Sequence, residues 1–129
     1  MSETELIIIA AHGSPLKESG SIAGLASALH SMIHPKCNKH CVRVGYLQFS
    51  KPSVEDAIRK AVKDGAAKII IHPYFLSSGI HVTKSIPAII NEAKALYPEV
   101  KFLYTEPLAS DDALAGIVLK KIKAAREDE

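Results

Sequence analysis

Residues 6–14 read Leu6-Ile7-Ile8-Ile9-Ala10-Ala11-His12-Gly13-Ser14: six apolar residues without alternation, then a histidine, a glycine and a serine. A strand with both faces apolar belongs to a parallel sheet covered on each side by helices, because a half-solvated strand would alternate. His12-Gly13-Ser14 reads as a tight turn into a helix, with Ser14 suited to the N-cap. In an open parallel sheet, such turns line the ligand crevice at the carboxyl edge of the strands.

The same grammar repeats outward from that stretch. Ile22, Leu25, Ala26, Leu29 and Ile33 recur at helical spacing, and Pro35 closes that helix. Residues 42–47 form a second strand. Val54, Ala57, Ile58, Ala61 and Val62 mark a second helix, with Ser50 or Ser53 as cap and Gly65 as stop. A third strand starts at Lys68 and runs through Ile71 toward Phe75. A third helix carries Ile86, Ile89, Ile90, Ala93 and Leu96, with Pro87 in its first turn and Pro98 beyond its end. Residues 100–104 are a fourth strand. Ser110-Asp111-Asp112 caps a last helix with the apolar stripe Leu114, Ile117, Val118, Ile122 and Ala125. The order βαβαβαβα predicts a flavodoxin-like α/β fold: a four-stranded parallel sheet with helices on both faces, in one domain over residues 1–129. So small a sheet leaves a face or edge for a second copy to cover.

Composition narrows the function. The chain has 129 residues, 47% hydrophobic and 23% charged, with a net charge of +2. That balance lacks the basic stripe of a nucleic-acid binder but permits local lysine patches for an anionic small molecule. Residues 6–11 are too short for a signal sequence and follow Glu3 and Glu5, and no apolar run approaches a membrane span. The expected location is the cytoplasm, where Cys37 and Cys41 stay reduced.

Two histidines occupy Gly/Ser-rich turns after strands: His12, and His81 in Phe75-Leu76-Ser77-Ser78-Gly79-Ile80-His81-Val82-Thr83-Lys84. Imidazole binds late first-row metals and accepts protons near neutral pH, so two facing one crevice point to chemistry on a metal or a proton. The plainer alternative is a pair of turn histidines bonded to backbone or solvated. Ser77, Ser78 and Gly79 offer backbone N–H groups, and Lys84 adds a positive charge beside a helix start that favours anions. There is neither a dinucleotide G-x-G-x-x-G nor a P-loop G-K-[ST]. His72, ending the Ile69–Ile71 run, reads as a satisfied core or edge histidine. His30, His34, Cys37, His40 and Cys41 cluster in sequence, with His30 and His34 on one helix face. Their spacing matches no standard structural-zinc pattern, so idle thiols beside surface histidines is the simpler reading.

Ala11-His12-Gly13-Ser14, residues 46–57 (Tyr46-Leu47-Gln48-Phe49-Ser50-Lys51-Pro52-Ser53-Val54-Glu55-Asp56-Ala57) and residues 73–87 (Pro73-Tyr74-Phe75 through Ser85-Ile86-Pro87) closely resemble the short-form sirohydrochlorin cobaltochelatases. These are small class II chelatases related to ferrochelatase, and the similarity runs in order over nearly the whole chain. The resemblance implies insertion of Co2+ into sirohydrochlorin with release of two protons, for cobalamin synthesis. Nickel on the route to coenzyme F430 and iron on the route to sirohaem are the alternatives at the same site. It implies a homodimer with no permanently bound cofactor, the divalent metal being a substrate. His12 and His81 carry over as the metal-binding and catalytic pair. Ser14, Ser77, Ser78, Gly79 and Lys84, with Lys17 or Lys51, are expected around the substrate's carboxylates, and Phe75, Leu76 and Ile80 over its ring. Two departures stand out: many relatives carry an acidic residue at the position of Ser85, and Glu at that of Gln48. A non-catalytic metal or tetrapyrrole carrier, and a flavodoxin-like interaction module without a metal, are the readings of other classes.

Overall fold

The computed structural model describes residues 4–13, 20–37, 39–109 and 111–128. The elements follow the sequence order: β1 (Glu5–Ala11), α1 (Gly20–Ile33), β2 (Val42–Tyr46), α2 (Val54–Lys63), β3 (Lys68–Pro73), α3 (Ile86–Leu96), β4 (Lys101–Tyr104) and α4 (Asp112–Glu127). A π-helical turn, His81–Ser85, leads directly into α3. The strands form one parallel sheet in the order β2-β1-β3-β4.

The run of isoleucines in β1 explains why that strand is central. Ile9 lies opposite Val44 on one side and His72 on the other. Leu6, Ile8 and Ala10 point to the face covered by α2 and α3, where they join Val54, Ala57, Ile58, Ala61, Ile69, Ile71, Ile86, Ile90 and Phe102 in one buried core. α2 is capped as its sequence requires: the Ser53 side chain accepts the Asp56 N–H. At its other end the chain turns through Gly65 at φ +97°, and the Ala66 N–H closes back on the Ala61 carbonyl.

Ile7, Ile9 and Ile70 face the other way, under α1. Here the cover is partial. Leu25 and Leu29 of α1 flank a groove of about 370 Å³, floored by Ile7, Ile9, Ile70 and His72 and rimmed by Tyr74 and Leu108. α4 forms over the expected residues, and the Asp111 carboxylate caps it by accepting the Ala113 N–H. None of its residues is buried, however: Ile117, Val118, Leu119 and Ile122 are 51, 54, 46 and 43% exposed. The apolar stripe read from the sequence exists, but one chain does not close it against its own sheet.

The buried face dominates stability. Ile58 is 1% exposed, so Ile58→Ala should cost about 2–5 kcal/mol in urea unfolding. Leu96→Ala, at a 71% exposed position, should stay within about 0.5 kcal/mol. Equal costs would contradict this placement of the core.

Candidate functional site

β1 is flanked by β2 and β3, so the winding reverses beside it, and the carboxyl ends of β1 and β3 are where an open parallel sheet forms its ligand crevice. His12 follows the last residue of β1. Its carbonyl accepts the Gln48 N–H at 2.9 Å, and the Ala11 carbonyl accepts the Leu47 N–H at 2.9 Å, strapping the β1 turn to the turn after β2. That closeness demands the next residue: Gly13 has φ +95°, and a Cβ there would collide with the Gln48 carbonyl oxygen. The His12 Nδ1 lies 3.2 Å from the Gly13 carbonyl. A carbonyl only accepts, so Nδ1 carries the proton and Nε2 keeps a lone pair for a metal.

His81 reaches the crevice from the loop after β3. The sequence places it in a turn ahead of the helix; in the structure it opens the helix, as the first residue of the π-turn. The Ile86 N–H bonds back to the His81 carbonyl, a five-residue closure of the kind that collects at functional sites. The Thr83 hydroxyl donates back to the Gly79 carbonyl at 2.9 Å. Ser85 sets the ring, with its Oγ 3.2 Å from the His81 Nδ1. Ser85, one of the two positions that the resemblance singled out, is thus the hydrogen-bond partner of His81. Tyr104 pins the turn from β4 by donating its hydroxyl to the Val82 carbonyl at 2.7 Å. Burial pushes that phenol up to about 12, so it stays a neutral donor.

The structure brings the two imidazoles together: their centroids are 5.2 Å apart and their planes inclined by 57°. Phe49 lies 6.2 Å from His12 and Phe75 lies 6.0 Å from His81, centroid to centroid. Phe49, Leu76 and Ile80 are 65, 69 and 65% exposed, which gives the crevice an apolar mouth. Ser77, Ser78 and Gly79 lie on the same exposed loop, and Lys84 is exposed on the π-turn. Lys51 is exposed in the turn after β2, and Ser14 and Lys17 lie outside the described residues. Sequence reading missed Phe49 and Tyr104. Phe49 sits at φ +64°, a conformation that costs a bulky residue about 1–3 kcal/mol and persists where its surroundings demand it. Its only signal in sequence is a lone aromatic inside a Gln/Ser/Lys/Pro turn.

Two further groups are resolved. His72 is satisfied as expected: its Nδ1 lies 2.7 Å from the Thr105 Oγ1, and the Thr105 hydroxyl donates to the Glu106 carbonyl. His30, His34, Cys37 and Cys41 converge between α1 and β2, whereas His40 stays exposed and apart from them. Burial, aided by the hydrogen bond with Cys37, pushes the Cys41 thiol up in the metal-free chain.

Burial also holds the His72 imidazole below its ordinary value of 6.5. The unfolded chain therefore binds that proton more readily, and the stability His72 contributes is complete above the unfolded value and lost as pH falls toward the folded one. The urea midpoint should fall between about pH 7 and pH 5, and less steeply in His72→Asn. Identical slopes would contradict this.

Comparison with known proteins shows the family of the chain. A family model described as CbiX matches residues 6–125. A sirohydrochlorin cobaltochelatase of Methanosarcina acetivorans is 32% identical over 97% of this chain and 99% of its own length. The one from Methanocaldococcus jannaschii is 28% identical over 91% and 96%. The chloroplastic sirohydrochlorin ferrochelatase of Arabidopsis thaliana matches 95% of this chain at 27% identity, but over only 53% of its own length. Among solved structures, the sirohydrochlorin chelatase SirB of Bacillus subtilis, in complex with cobalt, superposes with a TM-score of 0.79 at 23% identity, covering 94% of this chain and 50% of SirB. That likeness is one of fold.

Proposed function

This chain belongs to the CbiX family, and from that membership we propose that it is a sirohydrochlorin cobaltochelatase, inserting Co2+ into sirohydrochlorin with release of two protons. The observation that carries the site assignment is the 5.2 Å between the His12 and His81 rings. A metal bound about 2.1 Å from each Nε2 sits about 3.2 Å from each ring centroid, and a tetrahedral angle between them separates the centroids by about 5.2 Å. The centroid separation is compatible with one shared ion.

The chemistry follows from an incomplete ligand set. Two imidazoles leave the remaining positions of the ion for water and then for the pyrrole nitrogens, whereas a closed four-ligand cage would retain it. As each Nε2 gives up the metal to the macrocycle, its freed lone pair accepts one pyrrole proton, so two nitrogens exchange one M2+ for two H+. The Gly13 carbonyl and Ser85 hydroxyl keep each Nδ1 engaged while this happens. Phe49, Phe75, Leu76 and Ile80 supply an apolar surface for the ring. Ser77, Ser78, Gly79 and Lys84, with Ser14, are the proposed contacts of its carboxylates. The metal arrives and leaves as substrate, and nickel or iron would fit the same two nitrogens.

The functional unit we propose is a homodimer in the cytoplasm. The chain spans the full length of its archaeal relatives but half of SirB, so two copies supply what the longer proteins carry in one chain. The open groove beside α1 and the exposed stripe of α4 give such a dimer its apolar contact. No described helix is long and apolar enough to cross a membrane.

Two tests follow. In an anaerobic absorbance assay with sirohydrochlorin and Co2+, His12→Ala and His81→Ala should each lower kcat/KM by about 100-fold or more, the loss expected for removing one metal ligand or proton acceptor. Near-normal turnover in both would sink the assignment, and stoichiometric binding without turnover in the parent chain would favour a carrier. In sedimentation experiments the parent chain of 13.9 kDa should run at twice that mass, and Ile117→Asp with Ile122→Asp should return it to the monomer. A monomeric parent chain would contradict the dimer.

A further inference from the structure

We infer that His30, His34, Cys37 and Cys41 hold a resident divalent metal of the zinc type, in a closed tetrahedral N2S2 site distinct from the crevice. One ligand atom from each residue lies within 4.8 Å of the other three. The two sulfurs are 3.7 Å apart, too far for a disulfide and close to the about 3.8 Å that two thiolates span on a tetrahedral zinc with bonds of about 2.3 Å.

The local fold explains how the four meet. The His34 N–H bonds to the His30 carbonyl at 2.7 Å, carrying the helical spacing one residue past the end of α1. This sets the two imidazoles on one face, centroids 5.7 Å apart. The Cys37 N–H then turns back to the His34 carbonyl at 3.1 Å, and the Lys39 N–H approaches the Cys37 sulfur at 3.4 Å. Backbone N–H groups supporting a sulfur in this way are characteristic of the outer shell of thiolate metal sites. Cys41 is fixed by β1, whose Ile7 N–H bonds to the Cys41 carbonyl at 2.8 Å.

The independent sign of a missing partner lies in the nitrogens. His30 Nε2 and His34 Nδ1 are buried and have no hydrogen-bond partner among the described residues. Each such orphan costs about 1–3 kcal/mol, a cost that folded proteins rarely leave uncompensated. A metal satisfies both at once, and two thiolates neutralise its charge. S2N2 tetrahedral donors select zinc among common divalent ions. The site joins the end of α1 to the start of β2, at the edge of the sheet opposite His12 and His81. Its metal is therefore a structural clamp that never meets the macrocycle, and the protein carries a resident ion as well as a substrate one.

The test is metal analysis of protein purified under reducing conditions and supplied with Zn2+, then dialysed against metal-free buffer. About one equivalent per chain should remain in the parent and in His12→Ala/His81→Ala, and none in Cys37→Ser/Cys41→Ser. Should the serine variant not fold, Co2+ replacement in His12→Ala/His81→Ala, which removes the crevice ligands, decides. A tetrahedral visible spectrum with a thiolate-to-cobalt charge-transfer band supports the site. An octahedral spectrum, a parent chain that retains no metal, or equal retention in a folded Cys37→Ser/Cys41→Ser chain overturns it. The chelation assay reads the crevice separately, so the two proposals fail independently.

Discussion

Everything at the crevice depends on β1 pairing in parallel with β2 on one side and β3 on the other. That pairing requires a strand apolar on both faces, and Leu6 through Ala11 provide it. Because the three strands share a direction, the turns that follow them emerge at one edge, and residues distant in sequence meet there. The Gln48 and Leu47 amides bonded to the His12 and Ala11 carbonyls then lock the β1 turn to the β2 turn. Gly13 is what allows the two backbones to come that close.

The same logic separates rigid from adjustable parts of the site. His12 stands on a turn braced by backbone hydrogen bonds. His81 stands on a π-turn held by the Tyr104 hydroxyl at Val82 and oriented by Ser85. A serine at that position leaves His81 with a neutral partner, whereas a carboxylate there would make the imidazole more basic and hold a cation more tightly. On the proposed reading, His81 would hold an incoming ion less tightly than with a carboxylate at that position.

Much of this was legible in the sequence, and for identifiable reasons. Non-alternating runs such as Ile69–Ile71 report burial on both faces, and caps such as Ser53 and Asp111 report helix starts, because each is a local physical requirement. His12 and His81 stood out because strand-to-helix turns are where parallel sheets present side chains. Tyr104 and Phe49 did not, since their roles arise from contacts across the fold: Tyr104 reaches Val82 from a different strand. The π-turn was invisible because its residues have no distinctive pattern, and the helix that His81 opens looked as if it began later. The openness of α4 could not be read from its stripe, as an apolar face does not say which chain will cover it. In the Cys/His group, the spacing failed to match known zinc patterns, and only the folded loop shows the four ligand atoms converging.

The most direct test of the account is anomalous diffraction at the cobalt edge from crystals soaked in Co2+ without tetrapyrrole. It predicts a peak about 2.1 Å from the Nε2 atoms of both His12 and His81, with the remaining coordination left to water. A crevice without cobalt, or cobalt bound there away from both rings, would contradict it.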